Sequence, residues 1–491
     1  MQYGKNGVKE GIVSFLRYSN LRLIILCIIT SVFGCMLVYS ASYGVGEGLK
    51  GALMQIIASV LGLTAALVIS RMDYENICSL WPIWSGISIL LVLLTFTPLG
   101  LNATGTDDTA WLAIGPLTFQ PAELMKISFI ISFAMHLTKV QDTIRSFKTV
   151  FFLCLHGGIH ILLVFLQGDD GTALVFIAIF LSMMLISGVN LIYYALGFSA
   201  IAGAVPILWT FFMDEDKKAR FLCILPAYVD KYLESAGWQQ FEALKSIGSG
   251  QLTGVGYLEG ANPTLFARNN DLIFIVAAEE FGFLGGLALL VIIGLLIYEL
   301  YRCARKSQDD LGTYLCIGMM ALIGFQSLIN LGMNLRVLPV IGITLPFFSD
   351  GGSSVATLYL GIGLVTGLTL FASTDLIIGL YDVTPAAAKL AAQFIGVLSV
   401  SVVGTSYQCS CLTGIVTGGG DTKFVLINDL IHQWLIVIPS AFLSAFVFDW
   451  PLWVTFLCLK SDQILKCFVA VVKVNRYRWI RNLTAKTASE K

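Results

Sequence analysis

The sequence predicts an all-α protein threaded many times through a bilayer. Of its 491 residues 57% are hydrophobic and only 12% are charged, where a soluble chain would carry about 25% charged residues. The mean hydropathy is +0.82. Apolar runs of the roughly 20 residues needed to cross a bilayer recur along the whole chain. The net charge of -1 argues neither for nor against an acidic partner or nucleic acid. The eleven cysteines are scattered without a CxxC pair; Cys409 and Cys411 form a lone CxC, and the set reads as small buried hydrophobes. The polar start, with Lys5, Lys9, Arg17 and Arg22, reads as a retained cytoplasmic arm rather than a cleaved signal.

In chain order, the apolar runs lie near 20–42, 50–70, 76–97, 119–137, 148–166, 171–189, 191–213, 271–298, 312–335 and 352–372. Three more follow near 386–408, 423–448 and 451–472. Lys and Arg in short loops set orientation. With the N-terminus inside, the inner loops hold Arg71, then Lys139, Arg145 and Lys148, then Arg302, Arg305 and Lys306. The outer loops are 98–118, 167–170, 214–270 and 336–351. Ten helices then begin and end inside, and the long loop 214–270, of a length that usually carries function, lies on the outer face.

Four polar clusters interrupt the apolar pattern. The fourth run opens with Trp111-Leu-Ala-Ile-Gly-Pro-Leu-Thr-Phe-Gln120-Pro121-Ala122-Glu123-Leu-Met-Lys126. Pro121 suits a first helical turn, and Glu123 and Lys126, three apart, share a face and can pair. The pair is either functional, as intramembrane charges are by default, or a structural ion pair. The turn Gln167-Gly-Asp169-Asp170-Gly171-Thr172 reads as a solvated turn before a cation site, although carboxylates are hard ligands. The third cluster joins the glycine-rich stretch Gly248 to Gly256 to Arg268-Asn269-Asn270-Asp271 and, further on, Glu279-Glu280. Asp271 stands where the long loop becomes a helix, so it is either a helix cap or a carboxylate whose apolar surroundings raise its pKa into the range of a general base. The fourth, from Asn330 and Asn334 through Arg336, Pro339, Gly342 and Pro346 to Ser349-Asp350-Gly351-Gly352-Ser353-Ser354, predicts an irregular outer loop, tolerated at membrane depth only where protein or water lines it. Its Gly-Gly-Ser-Ser step either cradles an anion at a helix start or caps the helix.

In this order and spacing the clusters resemble the SEDS family of shape, elongation, division and sporulation proteins typified by RodA, FtsW and SpoVE, over residues 1–372. The resemblance implies a ten-helix bundle that polymerises lipid II, a disaccharide-peptide on undecaprenyl pyrophosphate, into glycan strands at the outer face of the bacterial cytoplasmic membrane. It implies Asp271 as the general base. Trp111, Gln120, Glu123, Lys126, Asp169, Gln239, Arg268, Glu279, Glu280, Asn330, Asn334, Ser349, Ser353 and Ser354 become substrate-binding or supporting residues. A divalent cation, Mg or Mn, is expected to assist the leaving pyrophosphate. A class B penicillin-binding transpeptidase is the expected partner, and no nucleic acid is expected. The chain departs from the family pattern at Ala110 (Arg), Ala122 (Ser), Gly168 (Pro), Asn270 (Thr), Arg336 (Gly) and Asp350 (an aromatic). Arg336 and Asp350 add charge to an outer loop, where they either pair with each other or alter affinity for substrate.

From about residue 374 the resemblance changes. Leu380-Tyr381-Asp-Val-Thr-Pro385, Gly418-Gly419-Gly420-Asp421-Thr422, Ile438-Pro439 and Arg478-Trp479-Ile480-Arg481-Asn482-Leu483-Thr484 resemble the last three helices of the MATE multidrug transporters. The expected division is therefore 1–373 and 374–491. Three added spans would leave the C-terminus outside, yet Lys466, Lys473, Arg476, Arg478, Arg481 and Lys486 favour the inside. Either one run fails to span, the tail is strained, or the chain is a recombined join. A fragment of a two-lobed antiporter cannot alternate access alone. The alternatives to an enzyme are a membrane transporter on the same helices, a lipid flippase or antiporter fragment, and a non-catalytic scaffold for a transpeptidase.

Overall fold

The computed structural model describes residues 20–371 apart from 44–45, 47, 71–73, 103–108, 115–116, 212, 233–234 and 261–267, and beyond them 390, 393–394, 397, 401, 412 and 422–475. The chain divides into two compact units, Met1–Ser70 with Glu75–Ala372, and Arg71–Tyr74 with Ser373–Lys491.

Each of the ten apolar runs of the first unit holds a helix. They are α1 (Leu21–Tyr43), α2 (Gly48–Ile69), α3 (Trp81–Thr95), α4 (Pro121–Lys139), α5 (Phe147–Leu166), α6 (Asp170–Ile186) and α7 (Leu191–Phe211). The long loop carries α8 (Glu215–Leu222) and α9 (Trp238–Ser249). Then come α10 (Ile273–Glu280), α11 (Gly282–Lys306), α12 (Asp310–Asn334) and α13 (Gly352–Phe371). Among the described residues seven helices are long and apolar enough to cross a membrane, six in this unit and one, Lys423–Val447, in the other. The helix α4 is not one of them: Glu123, Lys126 and His136 lower its hydropathy, and nearly its whole length is buried in protein instead.

Lipid tails are as apolar as leucine, so helices in a bilayer gain little by hiding apolar surface from them; close packing and buried hydrogen bonds hold the bundle. Where α2 meets α13, a Cβ at Gly363 would fall 2.5 Å from the Ala66 Cα, and one at Gly62 would fall 2.9 Å from the Tyr359 ring. Glycine at these two positions is what lets the helices touch. Nearby, the Ser31 and Tyr359 hydroxyls lie 2.8 Å apart, and Tyr359 Oη donates to the Cys27 carbonyl at 3.1 Å. The helix α12 packs against α4, α6, α11 and α13 and forms the centre of the unit.

Four features differ from the sequence expectation. The span expected at 271–298 is broken: α10 ends at Glu280 and α11 begins at Gly282, whose φ of +66° suits glycine. The outer loop 98–118 is not wholly irregular. Strands β1 (Gly100–Leu101), β2 (Trp111–Ile114) and β3 (Leu117–Phe119) form a small antiparallel sheet in the order β1-β2-β3, with Leu112 opposite Phe119. The long loop 214–270 is partly helical. Finally, the cysteines are not uniformly buried: all described ones are free thiols, and Cys154 is exposed on α5.

In the second unit, Thr422–Ile431 continues through a π-helical turn, His432–Val437, to Ile438–Phe442, and Leu452–Asn475 forms a second long helix. Lys466 pairs with Asp429 and Asp462, both at 3.0 Å. The motifs at 380–385, 418–421 and 478–484 and most of the run 386–408 lie outside the described residues.

Candidate active site

Asp271 precedes α10, but the residue at its N-cap position is Leu272, with no side-chain cap. All eight residues of α10 are buried, and its apolar side chains pack among Leu37, Val38, Ala41, Leu289, Ile293, Leu345 and Phe348 from α1, α11 and the 335–351 loop. This packing makes a firm floor beneath a half-buried Asp271.

The strap leading into α10 is held by its backbone. Asn330 Nδ2 and Asn334 Nδ2, both from α12, donate to the Asp271 carbonyl at 2.8 and 3.0 Å. Ser349 Oγ donates to the Asn270 carbonyl at 2.6 Å and accepts from the Leu345 N–H at 2.7 Å. The Asp350 N–H donates to the Asn269 carbonyl at 2.8 Å. Three successive carbonyls are therefore each engaged. The Asp271 carboxylate borders Gly342, where a Cβ would lie 3.8 Å from Oδ2. Gly342 has φ +69°. The loop 335–351 is held in turn by Gln55 Nε2, which donates to the Phe347 and Ser349 carbonyls at 3.3 and 3.0 Å.

Behind the strap, Arg268 Nη2 donates to Glu279 Oε2 at 2.8 Å and lies 3.8 Å from Glu280 Oε1. Glu280 also accepts from Ser40 Oγ and from the Leu258 N–H. All three charged residues are buried, and Arg268 Nε and Nη1 have no hydrogen-bond partner among the described residues. The glycine-rich stretch lies directly against this group. The N–H groups of Val255 and Gly256 donate to the carbonyls of Glu279 and Glu280 at 3.0 and 3.2 Å, and a Cβ at Gly254 would overlap the Glu280 carbonyl.

A second polar assembly runs across α4, α12 and α13. Lys126 Nζ donates to Glu123 Oε1 at 2.9 Å and to Gln326 Oε1 at 3.1 Å. Ser354 Oγ donates to Glu123 Oε2 at 3.1 Å, and Gln326 Nε2 donates to the Thr344 carbonyl at 3.1 Å. The Glu123–Lys126 pair is 5% and 1% exposed, so it is an inter-helical junction and not a surface feature. Ser354 joins it as a donor to Glu123, which is what the Gly-Gly-Ser-Ser step does here. Ser353 is half-buried, and its carbonyl accepts from Thr357.

Asp169 is not in a solvated turn. It is 8% exposed, its Oδ1 caps α6 by accepting from the Thr172 N–H at 2.9 Å, and its Oδ2 accepts from Gln120 Nε2 at 2.8 Å. Asp170 is the solvated one, paired with Lys217 at 3.1 Å. Trp111 lies half-buried on β2, and Gln239 half-buried on α9. The neighbour Gln240, not singled out from sequence, is buried and donates to the Met333 and Leu338 carbonyls at 3.0 and 2.7 Å. Arg336 does not bond Asp350; its Nη2 donates to the Cys223 carbonyl at 2.6 Å, while Asn269 Nδ2 donates to Asp350 Oδ2 at 3.1 Å. Arg336 has φ +58° just beyond the end of α12, the left-handed position at which helices commonly place glycine.

Among the described residues, no group of three or more His, Cys, Asp or Glu side chains is arranged to hold a metal ion. The expected cation thus has no such ligand set in this part of the chain.

Known proteins share this architecture. Stage V sporulation protein E of Bacillus subtilis is 28% identical over 367 residues, covering 72% of this chain and 97% of that protein. A probable peptidoglycan glycosyltransferase FtsW of Thiomicrospira cyclica is 33% identical over 360 residues, covering 70% and 90%. Among solved structures, one described as "Structural coordination of polymerization and crosslinking by a peptidoglycan synthase complex" matches with a TM-score of 0.62 and 27% identity, covering 72% of this chain and 98% of that one. The rod shape determining protein RodA of Thermus thermophilus matches with a TM-score of 0.54 and 26% identity, covering 72% and 96%. The model of the FtsW, RodA and SpoVE cell cycle proteins matches residues 20–374, and the chain belongs to that family.

Proposed function

We propose that the chain is a peptidoglycan glycosyltransferase that polymerises lipid II at the outer face of the bacterial cytoplasmic membrane, with Asp271 as general base. The observation that carries the reading is the way Asp271 is held: by its carbonyl, from α12, above a packed floor and with its carboxylate against Gly342 of the 335–351 loop. A carboxylate so placed can take the proton from the acceptor sugar hydroxyl. The acceptor oxygen then bonds to the anomeric carbon of the donor as the bond from that carbon to undecaprenyl pyrophosphate breaks, and the pyrophosphate leaves with its electron pair. Glu123, Lys126 and Ser354 join α4 to α13 beside the loop that borders Asp271. Trp111, Gln120, Asp169, Gln239 and Ser353 are proposed as flanking supports.

The names of the relatives support this activity, and the synthase complex among the similar structures supports a penicillin-binding transpeptidase as partner. We assign residues 1–373 to the transferase domain and 374–491 to a separate tail. The likeness of that tail to multidrug transporters is proposed as descent only, without transport activity.

The test is polymerisation of purified lipid II by the purified chain. Wild type should yield glycan polymer, and Asp271→Asn should lose it by about a hundredfold or more while still inserting. Full polymerisation by Asp271→Asn would overturn the base assignment. Lipid transport that survives Asp271→Asn, with no glycan from wild type, would favour a transporter.

A further inference from the structure

The polar residue at position 350 stands where the family pattern has an aromatic, and it faces the strap that carries the base. Asp350 meets Asn269 twice: its N–H donates to the Asn269 carbonyl at 2.8 Å, and its Oδ2 accepts from Asn269 Nδ2 at 3.1 Å. A two-point contact of this kind sets both the separation and the rotation of the two segments it joins. Asn269 is two residues before Asp271. The next carbonyl is held by Ser349, next to Asp350 in sequence, so the same loop grips two adjacent residues of the strap. From the other side, a Cβ at Gly51, near the start of α2, would lie 3.6 Å from Asp350 Oδ2, so the latch is seated on the bundle and does not hang from the loop alone.

We propose that Asp350 and Asn269 form a latch that positions Asp271, making residue 350 a positioning residue for the transfer step in this chain. The proposal rests on the reading of Asp271 as the base. The latch acts on the direction of the Asp271 carboxylate and touches neither sugar, so its loss lowers turnover and leaves substrate capture nearly intact. An aromatic at 350 would keep the backbone arm of the latch and forfeit the side-chain arm.

The experiment measures initial rates of glycan formation against lipid II concentration for Asp350→Ala, Asn269→Ala, Asp350→Asn and the double alanine variant, with Asp271→Asn on the same preparation. Asp350→Ala and Asn269→Ala should each lower kcat about tenfold with KM within about twofold. Asp350→Asn, which keeps an oxygen acceptor for Asn269, should restore most of the rate. The double variant should be no slower than either single one, as expected of two residues acting as a unit. Wild-type kcat for Asp350→Ala, multiplicative losses in the double variant, or equal losses for Asp350→Asn and Asp350→Ala would each overturn the latch. If Asp271→Asn is inactive in that case, only the latch fails; if Asp271→Asn keeps the wild-type rate, the reading of the base fails and the latch falls with it.

Discussion

Glu123 and Asp271 are both carboxylates at the N-terminal ends of helices in one membrane bundle, and they are held in opposite ways. Glu123 is gripped by its side chain: one oxygen accepts from Lys126 and the other from Ser354. Asp271 is gripped by its backbone, through two asparagines that reach its carbonyl. A carboxylate whose oxygens are both occupied by buried donors is a joint. Anchoring the main chain instead fixes where the Asp271 side chain starts. The contrast is between a residue held through its acid group and a residue held through its main chain, a difference that the two carboxylates do not show in the sequence.

The largest effect should come from breaking the joint. Lys126→Met leaves Glu123 buried without its counter-ion, which should cost about 3–5 kcal/mol of stability, read as a lowered unfolding midpoint in detergent. Asp271→Asn should shift that midpoint by less than about 1 kcal/mol; equal losses for the two variants would erase the contrast. Next, Asn330→Ala removes a donor shared by the Asp271 and Ile343 carbonyls. The loss should be about 1–3 kcal/mol, with a fall in glycan formation. A stable, fully active variant would show that the backbone grip is dispensable. The smallest effect should come from Lys217→Ala. Its bridge to Asp170 is solvated on both sides, and such pairs contribute less than about 1 kcal/mol. A larger loss would mean that the 167–170 turn is more than a surface feature.

Much of the bundle was legible because hydropathy reports membrane spans directly. The ten runs became ten helical regions, and Pro121 opens α4 as expected. The break at Phe281–Gly282 escaped because α10 opens as apolar as a span, and the Glu279-Glu280 pair and the glycine at its end were read as a polar cluster and not as a break. The partners of the site were harder to find. Gln326 and Gln55 each bridge to loop backbone groups, yet a glutamine inside an apolar run carries no spacing pattern. The signal available was burial cost alone: an amide has no reason to sit in a membrane helix unless something there needs its hydrogen bonds. The pairing of Arg336 with Cys223, rather than with Asp350, depends on a left-handed backbone turn that charge counting cannot foresee.

The grip on residue 270 has a consequence for how this site tolerates drift. Ser349 reaches the carbonyl of Asn270, a group that every amino acid carries in the same place. The Thr-to-Asn departure at this position leaves that anchor untouched, whatever the side chain does. Part of the address of the Asp271 carboxylate is thus written in the main chain and inherited without being spelled out in the residue at that position. A comparison that counts substitutions will overstate how far this site has diverged.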